Sequence, residues 1–209
     1  MMDALSQKII FDAYVDKEGY YIVYPLLQKL KNQGFNPFCV TMDGHIQIMR
    51  AFREIWPDIK IQRCLYHIQR QGLSWIRTFP KTQAGRELRS LLLKLCEIQS
   101  FKERDIFVGI FYRWLRLYRD FVKSLPSGSV AFKDLKKTVA LIHNALPDMF
   151  HYLSDQKIAS TANLLEGLYS QLKADFQRHR GLSEKHKQSY LRWYCYFKNK
   201  RKIATLFQY

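Results

Sequence analysis

Phe38-Cys39-Val40-Thr41-Met42-Asp43-Gly44-His45, followed downstream by Ile59-Lys60-Ile61-Gln62-Arg63-Cys64-Leu65-Tyr66-His67, decides the fold. The first run is short, apolar and partly β-branched, which fits a strand buried on both faces. The second alternates over Ile59 to Arg63 and reads as another strand. Between them Ile46, Met49, Phe52 and Ile55 fall on one helical stripe, and Trp56-Pro57 stops it. Strand, helix and strand within residues 38–63 make a compact βαβ unit, which predicts parallel pairing. A carboxylate that ends such a strand, as Asp43 does, lies where open α/β sheets place their ligands. Gly44 lets the backbone turn away behind it, although Asp before Gly is also ordinary turn chemistry.

Upstream, Tyr20, Tyr24, Leu27 and Leu30 predict a helix over about 20–33, closed by Gly34 and Pro37. From Cys64 onward the pattern is helical. Phe107, Phe111, Trp114, Tyr118 and Phe121 step by 4, 3, 4 and 3 residues, the spacing of a packed aromatic core stripe on one long helix. Ser127-Gly128-Ser129 marks a loop, and another helix runs over about 130–145 towards Pro147. A helix over about 160–178 has Ser160 or Thr161 as cap, Glu166 in its second turn, Asn163 and Ser170 on the same face, and Gly181 as its close. The tail from Tyr190 to Tyr209 is basic, aromatic and helical in pattern. The fold class is therefore α/β and mostly helical.

Lys and Arg number 34 against 18 acids, a net charge of +16 with a pI near 9.8. The excess is uneven: residues 1–66 carry 8 basic and 7 acidic groups, residues 67–150 carry 15 and 7, and residues 151–209 carry 11 and 4. Such an imbalance points to a polyanionic partner, nucleic acid ahead of a membrane surface. Cys39, Cys64, Cys96 and Cys195 are scattered, with no CxxC pair, which predicts free thiols in a reducing cytoplasm. No signal peptide opens the chain, and no apolar run reaches the ~20 residues of a membrane span, so a soluble cytoplasmic protein without membrane partner is expected. Cys64 and His67 have the spacing of half a zinc site, but no second pair follows at finger spacing. If Cys64 opens a helix, both side chains share a face directed at the strand ends and Asp43.

Taken together, Thr41-Met42-Asp43-Gly44-His45, Gln62-Arg63-Cys64-Leu65-Tyr66-His67, Thr161-Ala162-Asn163-Leu164-Leu165-Glu166-Gly167 and His179-Arg180-Gly181-Leu182 resemble, in order, the motifs of bacterial insertion-sequence transposases related to the Mutator-like elements. Ala162 departs from the Asn that the family signature carries there. The resemblance, over about residues 15–200, implies an incomplete RNase H-like fold. Residues 1–69 would be a partial α/β core, 70–155 an all-α insertion, and 156–209 the Glu-bearing helix and basic helices that complete the core. It implies DDE chemistry, in which Asp43 and Glu166 are the second and third metal carboxylates holding Mg²⁺ (or Mn²⁺), with His67 a catalytic neighbour or DNA-end contact and Cys64 a packing residue. DNA contact is implied for Asn163, Lys173, Arg178, His179, Arg180, Lys185 and Lys187, which read equally as a solvated basic face. Partners would be transposon-end and target DNA in the nucleoid, with a second copy or an upstream transposase fragment.

The family also needs a first Asp two strands earlier. Asp12 and Asp16 sit too close to the first helix for that role, so an N-terminally truncated, catalytically incomplete transposase is expected. A DNA-binding remnant and a basic helical nucleic-acid binder without a metal site are the alternatives. The reading demands that Asp43, Glu166 and His67 meet in space.

Overall fold

The computed structural model describes residues 1–15, 17–179 and 181–206, with side chains as far as residue 200 in the last helix. Helix α1 (Tyr20–Asn32) leads to strand β1 (Cys39–Met42), helix α2 (Ile46–Ile55) and strand β2 (Lys60–Arg63). The strands pair in parallel, Cys39 opposite Lys60 and Met42 opposite Arg63, so the expected βαβ unit is present. Leu27, Leu30, Met49, Phe52, Ile55 and Ile61 pack together as one core, joining α1 and α2 to the sheet. The amphipathic spacing read from α1 and α2 is what directs these side chains inwards.

The middle of the chain is a helical block: α3 (Leu65–Ile76), α4 (Gln83–Leu93), α5 (Phe101–Ser124) and α6 (Val130–Ala145). A second, larger core fills it, with Leu65, Leu88, Leu92, Phe111, Ile142 and Met149 among its most deeply buried members. The aromatic stripe of α5 is a core stripe for three of its residues, Phe107, Phe111 and Trp114, and reaches the surface at Phe121. Trp114 buries its ring and donates Nε1–H to the Ala84 carbonyl at 3.0 Å. Helix α5 opens on a capping box, in which the Ser100 side chain accepts from the Glu103 backbone N–H and Glu103 accepts from that of Ser100. Gly72 on α3 lets α4 approach closely, since a Cβ there would stand 2.7 Å from a Leu92 methyl.

Block and sheet are stitched together by side chains. Gln62, fully buried on β2, donates to the carbonyls of Arg63 and Met149 at 2.8 and 2.9 Å and accepts from the Tyr152 backbone N–H at 3.2 Å. Arg53 on α2 pairs with Asp148 at 2.6 Å. Helices α7 (Asn163–Gln177) and α8 (Glu184–Leu206) then pack thinly: Leu168 is the buried side chain of α7, and none of the described α8 side chains is fully buried. They hold each other through Phe176 and His179 against Tyr190, and Asn199 of α8 exchanges hydrogen bonds of 2.8 and 2.9 Å with the Ile9 backbone.

Cys39, Cys64, Cys96 and Cys195 are free thiols. Burial pushes Cys39 and Cys96 up to about 11, so both stay protonated at neutral pH. Among the described residues no helix is long and apolar enough to cross a membrane.

Candidate metal centre

The C-terminal ends of β1 and β2 carry the chemistry. Parallel pairing brings Met42 beside Arg63, and the Cys64 backbone N–H donates to the Met42 carbonyl at 2.8 Å. Asp43 leaves this edge exposed, and its Oδ1 accepts from the His45 backbone N–H at 3.2 Å, a side-chain turn that fixes the carboxylate beside the start of α2. Gly44 leaves room for the Arg63 guanidinium, which packs on this turn: an added Cβ would overlap it, and the end of the Arg63 side chain would have to shift. Burial lowers the Arg63 pKa, and the nearby Asp148 and Asp43 carboxylates work against that shift. One cation thus lies beneath the strand end that carries Asp43.

The chain returns to the same edge at residues 159–162. Thr41 Oγ1 donates to the Ala159 carbonyl at 2.6 Å, the Leu65 N–H to the Ser160 carbonyl at 3.0 Å, and the Ala162 N–H to Cys64 Sγ at 3.3 Å. Helix α7 starts immediately afterwards, with Ala162 as its N-cap and no side-chain cap bond. The expected cap from Ser160 or Thr161 is therefore absent, because that segment is spent on the sheet edge. The helix begins later than its sequence pattern suggests, and Glu166 falls in its first turn rather than its second.

This places Glu166 against α3. His67 Nδ1 stands 3.2 Å from Glu166 Oε1, yet neither atom has an aligned hydrogen bond, and both are shut off from solvent although their side chains are partly exposed. The two atoms are within ion-pair distance when the imidazole is protonated; with His67 neutral they are closed-in polar atoms without a hydrogen bond, which is uncommon in proteins. Cys64, fully buried as the N-cap of α3, completes the group: one ligand atom each from Cys64, His67 and Glu166 lie within 4.8 Å of one another. Burial raises the Cys64 thiol, opposed by the backbone N–H groups of Ala162 and His67 that point at its sulfur. Sequence reasoning had His67 near the carboxylates but treated Cys64 as packing. The shared face of Cys64 and His67 was legible from a helix opening at Cys64; their closeness to Glu166 has no local signal in the sequence. Asp43 is outside this compact triad.

A sequence model of the Mutator family transposases matches residues 6–186. The chain belongs to that family. Comparison with curated proteins finds no match. Family membership makes DNA transposition the activity to be explained and DNA the substrate.

The basic residues of this transposase expected at DNA are distributed unevenly. Asn163, at the first turn of α7, is exposed, as are Lys173, Arg178, His179 and Lys185. Arg178 is paired with Asp175 at 3.6 Å, Lys187 with Glu184 at 2.5 Å, and the His179 ring lies 5.1 Å from that of Tyr190. Among the described residues Lys173 and Lys185 make no ion pair. Arg180 and Asp16 lie outside the described residues. Asp12 is exposed, and its charge acts on the Met1 amine and the Cys195 thiol of α8.

Proposed function

We propose that this chain is the part of a DDE transposase that carries the second and third metal carboxylates, Asp43 and Glu166. On this reading residues 1–69 and 156–209 are pieces of an RNase H-like core, and 70–155 is a helical insertion between them. The observation that carries it is the triple attachment of residues 159–162 to Thr41 on β1 and to Cys64 and Leu65 just past β2, which returns α7 to the strand that Asp43 follows. A helical nucleic-acid binder without a metal site has no reason for that return.

The donor set fits a hard divalent cation in part. Asp43 offers an exposed carboxylate at the sheet edge, and Glu166 offers an Oε1 with no hydrogen-bond partner; oxygen donors of this type suit Mg²⁺ or Mn²⁺. When bound, the metal supplies activation of a water or 3′-hydroxyl and stabilisation of the leaving oxygen. The protein's own share is positional. The segment before α7 sets Glu166, His67 flanks its Oε1, and Arg63 supports the Asp43 turn. Asn163, Lys173, Arg178, His179, Lys185 and Lys187 would meet DNA phosphates, together with Arg180, which lies outside the described residues. DDE chemistry uses a third carboxylate besides Asp43 and Glu166, and the partners on this reading are an upstream transposase segment that carries it and a second copy of the chain.

Mn²⁺ binding followed by electron paramagnetic resonance tests the shared site. Asp43→Asn and Glu166→Gln should each weaken binding at least about tenfold, and the double variant little more than either, since partners in one site are not additive. Binding unaffected by both changes sinks the assignment. DNA affinity should fall steeply with salt, on the order of a thousandfold between about 50 and 200 mM for roughly six phosphate contacts. A flat response would mean that the basic face does not contact the backbone.

A second reading has one specific observation behind it. Trp193, Tyr196 and Phe197 are exposed on α8, with Trp193 and Phe197 stacked at 5.5 Å, a surface on which bases could stack. Binding of single-stranded DNA that depends on Trp193 and ignores Asp43 and Glu166 would favour it.

A further inference from the structure

We propose that Cys64, His67 and Glu166 form a site for a borderline-soft transition metal of the zinc class, distinct in its donors from the carboxylate pair and overlapping it at Glu166. The argument begins with donor chemistry. A thiolate and an imidazole nitrogen are poor ligands for Mg²⁺ but, with one carboxylate, make the mixed S, N, O set that Zn²⁺ and Co²⁺ prefer. Nothing in the chemistry of an oxygen-liganded cation calls for a buried sulfur here.

Geometry supports the same conclusion. At zinc bond lengths of about 2.0–2.3 Å, tetrahedral ligand atoms stand roughly 3.3–3.7 Å apart. The His67 and Glu166 atoms are already 3.2 Å apart, and the whole triad spans at most 4.8 Å. Rotation of the His67 and Glu166 side chains, both partly exposed, closes the remaining ångström. The elements that hold the ligands are fixed before any metal arrives. Cys64 caps α3, His67 follows within the first turn of that helix, and the backbone bond from Ala162 to Cys64 Sγ ties α7 to the sulfur. The solvent-closed Nδ1 of His67 and Oε1 of Glu166, each without a hydrogen-bond partner, are the atoms a cation would satisfy. Three protein ligands leave the fourth tetrahedral position to water, so the site is open rather than structural.

Because Glu166 serves both sites, zinc-class binding withdraws a carboxylate from the hard-metal pair. That consequence rests on the proposed Asp43–Glu166 function, whereas the site itself does not, and the variants separate the two. In a Co²⁺ titration of the full chain we expect one equivalent to give the visible bands of tetrahedral cobalt and a thiolate-to-cobalt charge-transfer band, both erased by Zn²⁺. Cys64→Ser should abolish the charge-transfer band, and His67→Ala and Glu166→Gln should weaken Co²⁺ binding at least about tenfold. Asp43→Asn should leave the cobalt spectrum unchanged while it weakens Mn²⁺, and Cys64→Ser should do the reverse. A charge-transfer band that survives in a folded Cys64→Ser protein, or octahedral cobalt with no sulfur band in the parent, would overturn the proposal. Should Cys64→Ser fail to fold, full cobalt affinity in His67→Ala would overturn it equally.

Discussion

The helical block and the α7–α8 hairpin are both mostly helix, yet they are held by different forces. In the block, α3 to α6 enclose a continuous apolar core in which Leu88, Leu92, Phe111 and Ile142 are completely buried. The hairpin buries Leu168 and otherwise leans on hydrogen bonds, ring contacts and the three attachments at residues 159–162. Hydrophobic burial is the dominant stabilising term in folding, so the block should be the stable unit and the hairpin the first to open. Glu166 therefore sits on the less stable partner of the pair, anchored at its N-terminal end to the rigid sheet. The arrangement gives a fixed ligand origin and a movable basic arm. Elements that move in function are drawn from the low-stability end of a protein.

The largest effect expected from this contrast is in the block. Phe111→Ala should lower the unfolding free energy by about 3–5 kcal/mol, because it removes a fully buried ring from a closed core that relaxes only partly around the cavity. Leu168→Ala should move the denaturant midpoint far less and instead speed amide exchange along α7. Equal losses in the two variants would mean that the hairpin belongs to the same cooperative unit. Gly44→Ala comes next. Its Cβ would occupy the space of the Arg63 guanidinium, so that side chain must shift from beneath the Asp43 turn. The atoms it meets are the far end of a flexible side chain, so the cost should fall at the low end of the about 1–3 kcal/mol typical of overpacking, and Mn²⁺ affinity should fall with it. A variant of parent stability and parent Mn²⁺ binding would show that Arg63 adapts freely.

Much of this architecture was legible in the sequence. The βαβ unit followed from two short runs around the Ile46-to-Ile55 stripe, since strand and helix periods differ and the connection is too short for much else. The aromatic stripe of α5 was readable for the same reason. Two things were not. The role of Gln62, which bridges β2 to the Met149 carbonyl and Tyr152, depends on how a distant segment closes over the sheet. The start of α7 was misread because Ser160 and Thr161 are good caps by local chemistry, while the tertiary demand of the sheet edge claims that segment first. The placement of Cys64 in the triad failed to show for a related reason: its sulfur is near Glu166 through the long-range attachment of residues 159–162, which includes the bond from the Ala162 N–H to that sulfur.

The smallest effect is also the one that speaks most directly to the hairpin. Helix α7 begins at Ala162, which has φ −95° and ψ 21° and supplies no side-chain oxygen to the first-turn N–H groups. Helix α5 begins at Ser100 with an extended backbone and a full capping box. Replacing a good cap by Ala costs typically about 1 kcal/mol, within a range of roughly 0.5–2, so Ser100→Ala should destabilise the block by that amount. Ala162→Asn runs the comparison in reverse by installing the missing acceptor. Its gain should fall at or below the low end of the range, about 0.5 kcal/mol, because the backbone at 162 must first move towards the extended region where a cap works. That movement is opposed by the bond from the Ala162 N–H to Cys64 Sγ. Amide exchange resolves the outcome: slower exchange at residues 164–166 in Ala162→Asn, with α5 unchanged, means that fraying of α7 limits the position of Glu166. Unchanged exchange there would mean that the sheet-edge attachments already hold the first turn, and that the mobility of the hairpin begins beyond Glu166.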